Sequence, residues 1–552
     1  MPGETDWLAG FKPHPLHHYL DKTVAEYGAK KAVDFFGLTW SWSEVGAMVD
    51  KVAARLQAMG VAKGVQVGLC LPNTPYYPVF YFAVLKIGGT VVNYNPLYVE
   101  RELSFQVEDS RTSIMVTLDL KAIYDKVEAV RAKGLLSHII VCPMADILPQ
   151  PKRLLFRLFK RKEMAAVRYD GAHIAFADML ASSGSLRPVD IDPQNDIAVL
   201  QYTGGTTGTP KGAMLTHANL CANTEQVRAA FPGAKRGEER LLALLPFFHV
   251  FAMTVVQNYS VAIGAQMVLM PRLDMGLLFK TITRTKPTLF PGVPTIYTAI
   301  LNAPQAKTTD LGSIRFCLSG GAPLPVEVKE QFESLTGCKL VEGYGLTESS
   351  PVVSVNPPEG VVKAGSIGMP VVGTEVQIRD LEDKRKVLEQ GGRGEVAVRG
   401  PQVMKGYWER PGESGATLVD GWLMTGDVGY IDEDGYIFLV DRIKDLILCS
   451  GYNVYPRVVE EALYQHPDVV ETIVIAVTDK YRGQAPKAFV KRAAGSQITA
   501  DELMAFLRDQ ISKIEMPREI EFRDELPKTM VGKLSKKELI EEEAEKASKA
   551  EG

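Results

Sequence analysis

The chain has few cysteines for its length, six in 552 residues. Cys70, Cys142, Cys221, Cys317, Cys338 and Cys449 lie scattered, with no C-x-x-C spacing. That pattern indicates neither a zinc site nor a disulfide framework, and it fits a reducing cytoplasm. An excess of one charge is missing too: 62 basic residues stand against 66 acidic ones, which gives no reason to expect a nucleic-acid partner. No apolar run reaches the roughly 18 residues that a membrane-spanning helix requires. The stretch from Leu241 to Met270 lacks Asp, Glu, Lys and Arg, but Pro246, His249, Gln257 and Asn258 interrupt it. It is expected to form buried core or the wall of an apolar pocket. The opening MPGETDWLAG has no basic n-region and no apolar h-region, so no secretory signal is expected and the expected location is cytoplasmic.

What is present reads as an ordinary soluble protein, 46% hydrophobic and 23% charged, long enough for about two to four domains. Short β-rich runs at Val65–Leu71, Ile114–Leu118, His138–Cys142, Ile197–Gln201, Gln266–Met270 and Ile314–Leu318 alternate with helical patterns such as Ser43–Met59 and Leu324–Leu335. Such alternation predicts an α/β fold of parallel sheets covered by helices. Beyond Gly365 the texture changes to glycine-punctuated strands at Thr374–Arg379, Gly394–Arg399 and Gly435–Val440, a β-rich subdomain. After Asp441 a compact α+β tail is expected, with a helix near Tyr455–Gln465, a strand at Val470–Val477 and a helix at Ala500–Lys513. Residues 536–552 are rich in lysine and glutamate and read as a fraying helix.

Several segments carry chemistry. YTGGTTGTPKG (202–212) follows the apolar strand at 197–200. Glycines let backbone N–H groups approach an anion, and threonine hydroxyls and a lysine add donors and charge. The common phosphate loop, G-x-x-x-x-G-K-[ST], is out of register here because Lys211 follows Pro210 and precedes Gly212. A polyphosphate site of another kind is indicated, although a flexible surface loop shares this composition. EGYGLTESSP (342–351) adds an aromatic, two glycines, a threonine and Glu348, a carboxylate suited to Mg²⁺ beside phosphates. TGDVGY (425–430) sets Asp427 between glycines, apt for two ribose hydroxyls or for a plain turn. DRIKDLI (441–447) offers Arg442 and Lys444, and PKTMVGK (527–533) puts Lys528 and Lys533 on a turn near the C-terminus.

YTGGTTGTPKG, LPFFHVFAM, SGGAPLP, EGYGLTE, TGDVGY, DRIKDLILCSGYNVYP and PKTMVGK occur in the order found in the adenylate-forming superfamily, and the resemblance covers nearly the whole chain. More narrowly, the chain resembles bacterial medium- and long-chain fatty-acid–CoA ligases and neighbouring ligases for dicarboxylic acids such as pimelate. The resemblance implies an N-terminal domain over 1–440, a hinge at 441–445 and a small mobile C-terminal domain over 446–552. It also implies ATP, CoA and a small carboxylic acid as substrates, with Mg²⁺ as cofactor.

Residue by residue, the resemblance assigns the β- and γ-phosphates to Thr203, Gly204, Gly205, Thr206, Thr207, Gly208, Thr209 and Lys211. Thr203 and Glu348 would contact Mg²⁺. Gly320, Gly321, Ala322 and Tyr344 would border adenine, with Glu342, Gly343 and Gly345 in the same nucleotide segment, and Thr347 would approach the α-phosphate. Asp427 and Arg442 would hold ribose. Lys533 would reach the carboxylate and α-phosphate, and Lys444 takes the hinge position. His249, otherwise an ordinary core histidine, would lie beside the acyl carboxylate and the pantetheine tunnel, with Phe247, Phe248, Val250 and Phe251 along the acyl group. Ser450, Gly451 and Tyr452 would approach CoA once the C-terminal domain rotates. Two departures stand out: Gly204 replaces a serine common in relatives, and Leu448 stands where some relatives have a lysine. Acetylation of Lys533 by a lysine acetyltransferase, reversed by a deacetylase, is also implied.

The uncharged stretch after Phe247, with PTIYTAIL (294–301), suits an apolar tunnel wall and favours monocarboxylic fatty acids, since no base within Phe247–Met270 could pair a distal carboxylate. Acyl transfer to a carrier-protein phosphopantetheine, and a catalytically silent lipid- or nucleotide-binding protein, are the competing expectations. PKRLLFRLFKRK (151–162) places Arg153, Arg157, Lys160 and Arg161 on one helical face and Leu154, Leu155, Leu158 and Phe159 over the other. Such a helix could lie on anionic lipid or pack on its own domain. Membrane association and a homodimer both stay open at this point.

Overall fold

The computed structural model describes Trp7 and residues 10–181, 184–203, 209–450, 452–479, 481–529 and 532–551, the last five by backbone alone. The expected α/β architecture is present as two large mixed sheets, a smaller antiparallel sheet and a C-terminal sheet. In the first large sheet Gln66–Cys70, Thr90–Asn93, Ile114–Leu118, His138–Cys142 and Ile197–Thr203 run parallel, joined by His173–Ala175 at one edge and antiparallel Lys211–Thr216 at the other. The second carries Lys31–Phe35, Arg240–Ala243, Gln266–Leu269, Leu289–Gly292, Phe316–Ser319 and Lys339–Gly345 in parallel. Central strands are buried on both faces: every residue of Ile114–Leu118 is buried. That burial explains continuous apolar runs in place of alternation.

Local chemistry starts the helices. Trp42–Ala58 is opened by Ser41, whose Oγ accepts from Glu44 N at 3.2 Å while Glu44 Oε2 accepts from Ser41 N at 2.7 Å, a reciprocal capping box. The antiparallel sheet consists of Glu375–Arg379, Gly394–Arg399, Leu418–Val419, Trp422–Ile431 and Ile437–Arg442. Its last strand begins two residues later than expected, because Asp432 Oδ1 accepts from Tyr436 N and turns the chain before Ile437. The C-terminal sheet, Ile447–Cys449, Tyr452–Val454, Val469–Asp479, Gly483–Arg492 and Glu519–Phe522, has its own core around Ile447, Val474, Val490 and Leu503. The helix expected over Ala500–Lys513 ends at Leu507. Beyond it Ser512 binds Glu515 through both its N–H and its hydroxyl, a local bond that competes with helix continuation. The terminal helix is Lys537–Glu551.

Leu241–Met270 forms core in place of a membrane span: Leu241, Leu242, Val250, Met253, Val256 and Val261 are fully buried. Among the described residues no helix is long and apolar enough to cross a membrane.

Candidate active site

Strands Phe316–Ser319 and Lys339–Gly345 are adjacent and parallel, with Ser319 opposite Glu342. Their carboxyl ends therefore deliver Gly320–Gly321–Ala322 and Gly343–Tyr344–Gly345 to one place, the crevice where open α/β sheets bind ligands. Small residues are required there. A Cβ on Gly345 would lie 1.9 Å from the Pro351 carbonyl oxygen, and one on Gly320 would lie 3.1 Å from the Phe251 ring. Glu342 lies buried beneath this edge and accepts from Leu324 N at 3.3 Å, and burial pushes its carboxyl up to about 7.

Asp427 and Arg442 are cross-strand partners in the antiparallel sheet. Arg442 Nε approaches Asp427 Oδ1 at 3.2 Å, and Tyr344 OH donates to Asp427 Oδ2 at 2.5 Å. The aspartate thus ties the aromatic of one sheet to the arginine of another, and its charge raises the pKa of Arg442.

Lys533 arrives from the C-terminal domain. Gly532, at φ +80°, turns the chain, and its carbonyl accepts from Thr295 Oγ1 at 2.6 Å. Lys533 then lies directly over Gly321, which has φ +81°: a Cβ on that glycine would sit 2.3 Å from Lys533 Cε and 2.8 Å from Nζ. Burial, then the charge of Arg442, lowers the lysine from 10.5 to about 8. His249 is pushed down to about 3 by burial and then by Lys533, so it is a neutral imidazole. Its Nδ1 accepts from Phe251 N at 3.3 Å, which leaves the proton on Nε2. The C-terminal domain is therefore docked with its lysine at the carboxyl ends of the Phe316–Ser319 and Lys339–Gly345 strands. Lys528, on the same turn, pairs instead with Glu471 at 2.6 Å.

Glu348 sits in the turn Thr347–Ser349. The next residue, Ser350, adopts φ +73°, and this conformation is held by Thr254 Oγ1 donating to its carbonyl and by its own Oγ donating to Gln402 O. The Glu348 carbonyl accepts from Met404 N, and Oε1 accepts from Tyr407 OH at 2.6 Å. Tyr407 in turn lies beside the strand that leaves the glycine–threonine loop: Ala213 bridges to Tyr407, and Lys211 Nζ is 5.2 Å above its ring. Thr203 and Lys211 are register partners, so the loop is a hairpin connection between antiparallel strands. Gly204, Gly205, Thr206, Thr207 and Gly208 lie outside the described residues.

Sequence reading missed Tyr407 and Thr295. The Gly-Tyr-Trp run at 406–408 was the available signal for the first; the second lies in PTIYTAIL, which was read only as an apolar wall. Of the expected acyl wall, Phe247 and Val250 are buried in the core, and the ring of Phe251 lies against Gly320. In PTIYTAIL, Tyr297 is core, donating to the Phe290 and Leu318 carbonyls. Lys444 follows directly on the last strand of the antiparallel sheet, in the turn Ile443–Asp445. Ser450 and Tyr452 flank the tip of the Ile447–Cys449/Tyr452–Val454 hairpin, where Tyr452 and Leu448 are exposed; Gly451 lies outside the described residues.

The AMP-binding enzyme family matches residues 20–408, and the AMP-binding enzyme C-terminal domain matches residues 458–533. The chain belongs to this family of AMP-binding enzymes. It is 44% identical to a long-chain-fatty-acid–CoA ligase of Bacillus subtilis (strain 168), covering 99% of both chains. It is 41% identical to one of Yersinia pestis, covering 96% of this chain and 94% of that one. A crystal structure of ATP-bound MatB from Rhodopseudomonas palustris superposes with a TM-score of 0.84 at 29% identity, covering 96% and 99% of the two chains. The AMP-binding enzyme is thus an adenylate-forming ligase, and the chemistry of its site is ATP-dependent activation of a carboxylic acid.

Proposed function

We propose that this AMP-binding enzyme converts a medium- or long-chain fatty acid to its CoA thioester through an acyl-adenylate. The observation that carries the reading is Lys533 lodged over Gly321, next to Arg442 and a neutral His249. In the first half reaction a carboxylate oxygen attacks the α-phosphorus of ATP, the bond to the β-phosphate oxygen breaks, and pyrophosphate leaves. Two anions must meet in line, so the protein's work is charge neutralisation and positioning. Lys533 holds the carboxylate and α-phosphate. Asp427, with Arg442, orients ribose, Tyr344 and the 320–322 segment flank adenine, Thr347 faces the α-phosphate, and Lys211 with the hairpin loop holds the leaving pyrophosphate. In the second half reaction the CoA sulfur attacks the acyl carbonyl and AMP departs with the bonding pair. For that step the domain beyond the 441–445 hinge turns about Lys444 and carries the Ser450–Tyr452 tip toward pantetheine.

The donor set fits Mg²⁺, a hard cation that takes few protein oxygens. Tyr407 engages only Oε1 of Glu348, and Oε2 takes part in none of the described hydrogen bonds; Thr203 supplies a hydroxyl across the hairpin. When bound, Mg²⁺ neutralises the polyphosphate. An aliphatic acid is favoured by the absence of any Lys or Arg in 247–270 and by the likeness to two bacterial long-chain-fatty-acid–CoA ligases. A lysine held at about 8 is partly neutral near physiological pH, which also supports Lys533 as an acetylation target.

Comparing AMP release from octanoate, palmitate and pimelate with CoA tests the reading. Turnover of a monocarboxylate is expected; exclusive turnover of pimelate would move the assignment to dicarboxylates. Adenylation with no thioester formed from free CoA would move it to a carrier-protein acceptor.

A further inference from the structure

The helix Lys152–Phe159 is only eight residues long, and none of its residues is buried. Leu154, Leu155, Leu158 and Phe159 are 56%, 46%, 63% and 77% exposed. At 100° per residue these four side chains occupy one continuous face. The opposite face is the one that docks. Phe156 packs on the main core, Arg153 and Arg157 both reach Asp146 Oδ1, at 2.5 and 2.8 Å, and Lys152 Nζ lies 5.2 Å over the Phe36 ring. This revises the sequence expectation: Arg153 and Arg157 attach the helix to its domain, and the apolar residues point away from it.

The surroundings say what covers that face. Residues 151–163 hold six bases and one acid, a net charge of +5 (6 − 1), on a chain whose total is −4. Lys160, Arg161 and Lys162 follow the helix at once and are exposed, with Lys160 bonded to Glu163. An outward apolar strip bordered by cations on one short element is the design of an interfacial helix on anionic lipid. Spanning about 12 Å, it can lie in the headgroup region but cannot cross a bilayer.

We propose that this helix is a membrane anchor that lays Leu154, Leu155, Leu158 and Phe159 into an anionic bilayer surface, with Lys160, Arg161 and Lys162 on the headgroups. The proposal does not depend on which acid the enzyme activates. The test is co-sedimentation of the full chain with phosphatidylcholine vesicles and with vesicles enriched in phosphatidylglycerol. Binding to the anionic vesicles, weakened by salt, is expected for the wild type. Leu154→Ser/Leu158→Ser/Phe159→Ser and Lys160→Glu/Arg161→Glu/Lys162→Glu should each weaken it by roughly tenfold or more. AMP release in vesicle-free solution should be unchanged in both variants, showing that they fold. No binding by the wild type, or wild-type binding by either folded variant, would overturn the proposal. So would a wild-type dimer in sedimentation velocity that the serine variant dissociates without altering vesicle binding, an outcome that makes the face a protein interface.

Discussion

Replacing Lys533 with alanine should separate the two half reactions. The Lys533 ammonium is held at about 8 against an ordinary 10.5, equivalent to ~3 kcal/mol of unfavourable desolvation and repulsion. Under the proposed function, the α-phosphate and carboxylate offset that penalty, and the lysine serves the transition state to the extent that negative charge gathers there. Loss of one such positioned donor raises a barrier by ~3–4 kcal/mol, or about 10²–10³-fold in rate. Pyrophosphate exchange into ATP should fall by that factor in Lys533→Ala, while supplied acyl-adenylate and CoA should still give thioester at close to the wild-type rate. Loss of both activities together, or a drop in exchange below about tenfold, would refute the division of labour. The sign of the pH effect follows from the same group. The protonated form is the active one, so kcat/KM for ATP should be maximal below about 8 and decline as pH rises through it. Lys533→Arg, if active at all, should lose that decline, because guanidinium stays charged.

Three further perturbations test the scaffold. Gly321→Ala puts a Cβ 2.3 Å from Lys533 Cε at a φ of +81°; adenylation should drop about 10²-fold with the fold retained by circular dichroism, since a 1 Å displacement can cost that much. Tyr407→Phe removes the bond to Glu348 and should raise the Mg²⁺ concentration for half-maximal exchange by about tenfold, an outer-shell effect; an unchanged Mg²⁺ profile would detach Tyr407 from the metal. His217 and His17, held at about 3 and about 4 chiefly by burial, stay neutral when folded but protonate when unfolded. Their contribution to stability should therefore be full above about 6.5 and fall as pH drops below it, by ~1.4 kcal/mol per pH unit for each histidine until the folded values of about 3 and about 4 are reached. His217→Gln should reduce that slope by one such contribution in denaturant titrations.

What could be read from sequence divides along physical lines. Ile114–Leu118 and His138–Cys142 were legible to the residue, because strands buried on both faces write a nearly continuous apolar run, broken here only by Thr117 and opened by His138. The family resemblance grouped Gly320, Tyr344 and Asp427, and the fold brings them together, Gly320 beside Gly343 and Tyr344 bonded to Asp427. Tyr407 was not legible: its partner Glu348 lies 59 residues away, and the two meet through long-range backbone contacts, Met404 N to the Glu348 carbonyl and the Ala213–Tyr407 bridge.

The turn at 527–533 shows the same boundary at its sharpest. Two lysines sit five residues apart on one exposed-looking loop, and by composition each is a solvated side chain. The fold separates them through neighbours that no local pattern records. Glu471, in the strand Val469–Asp479 of the same domain, takes Lys528. Thr295, more than 230 residues earlier in sequence, fixes the Gly532 carbonyl and so aims Lys533 across the domain boundary at Gly321. One cation is paired within the small domain. The other is set among Arg442, Asp427 and a neutral histidine, where burial and the neighbouring guanidinium hold it below its ordinary value.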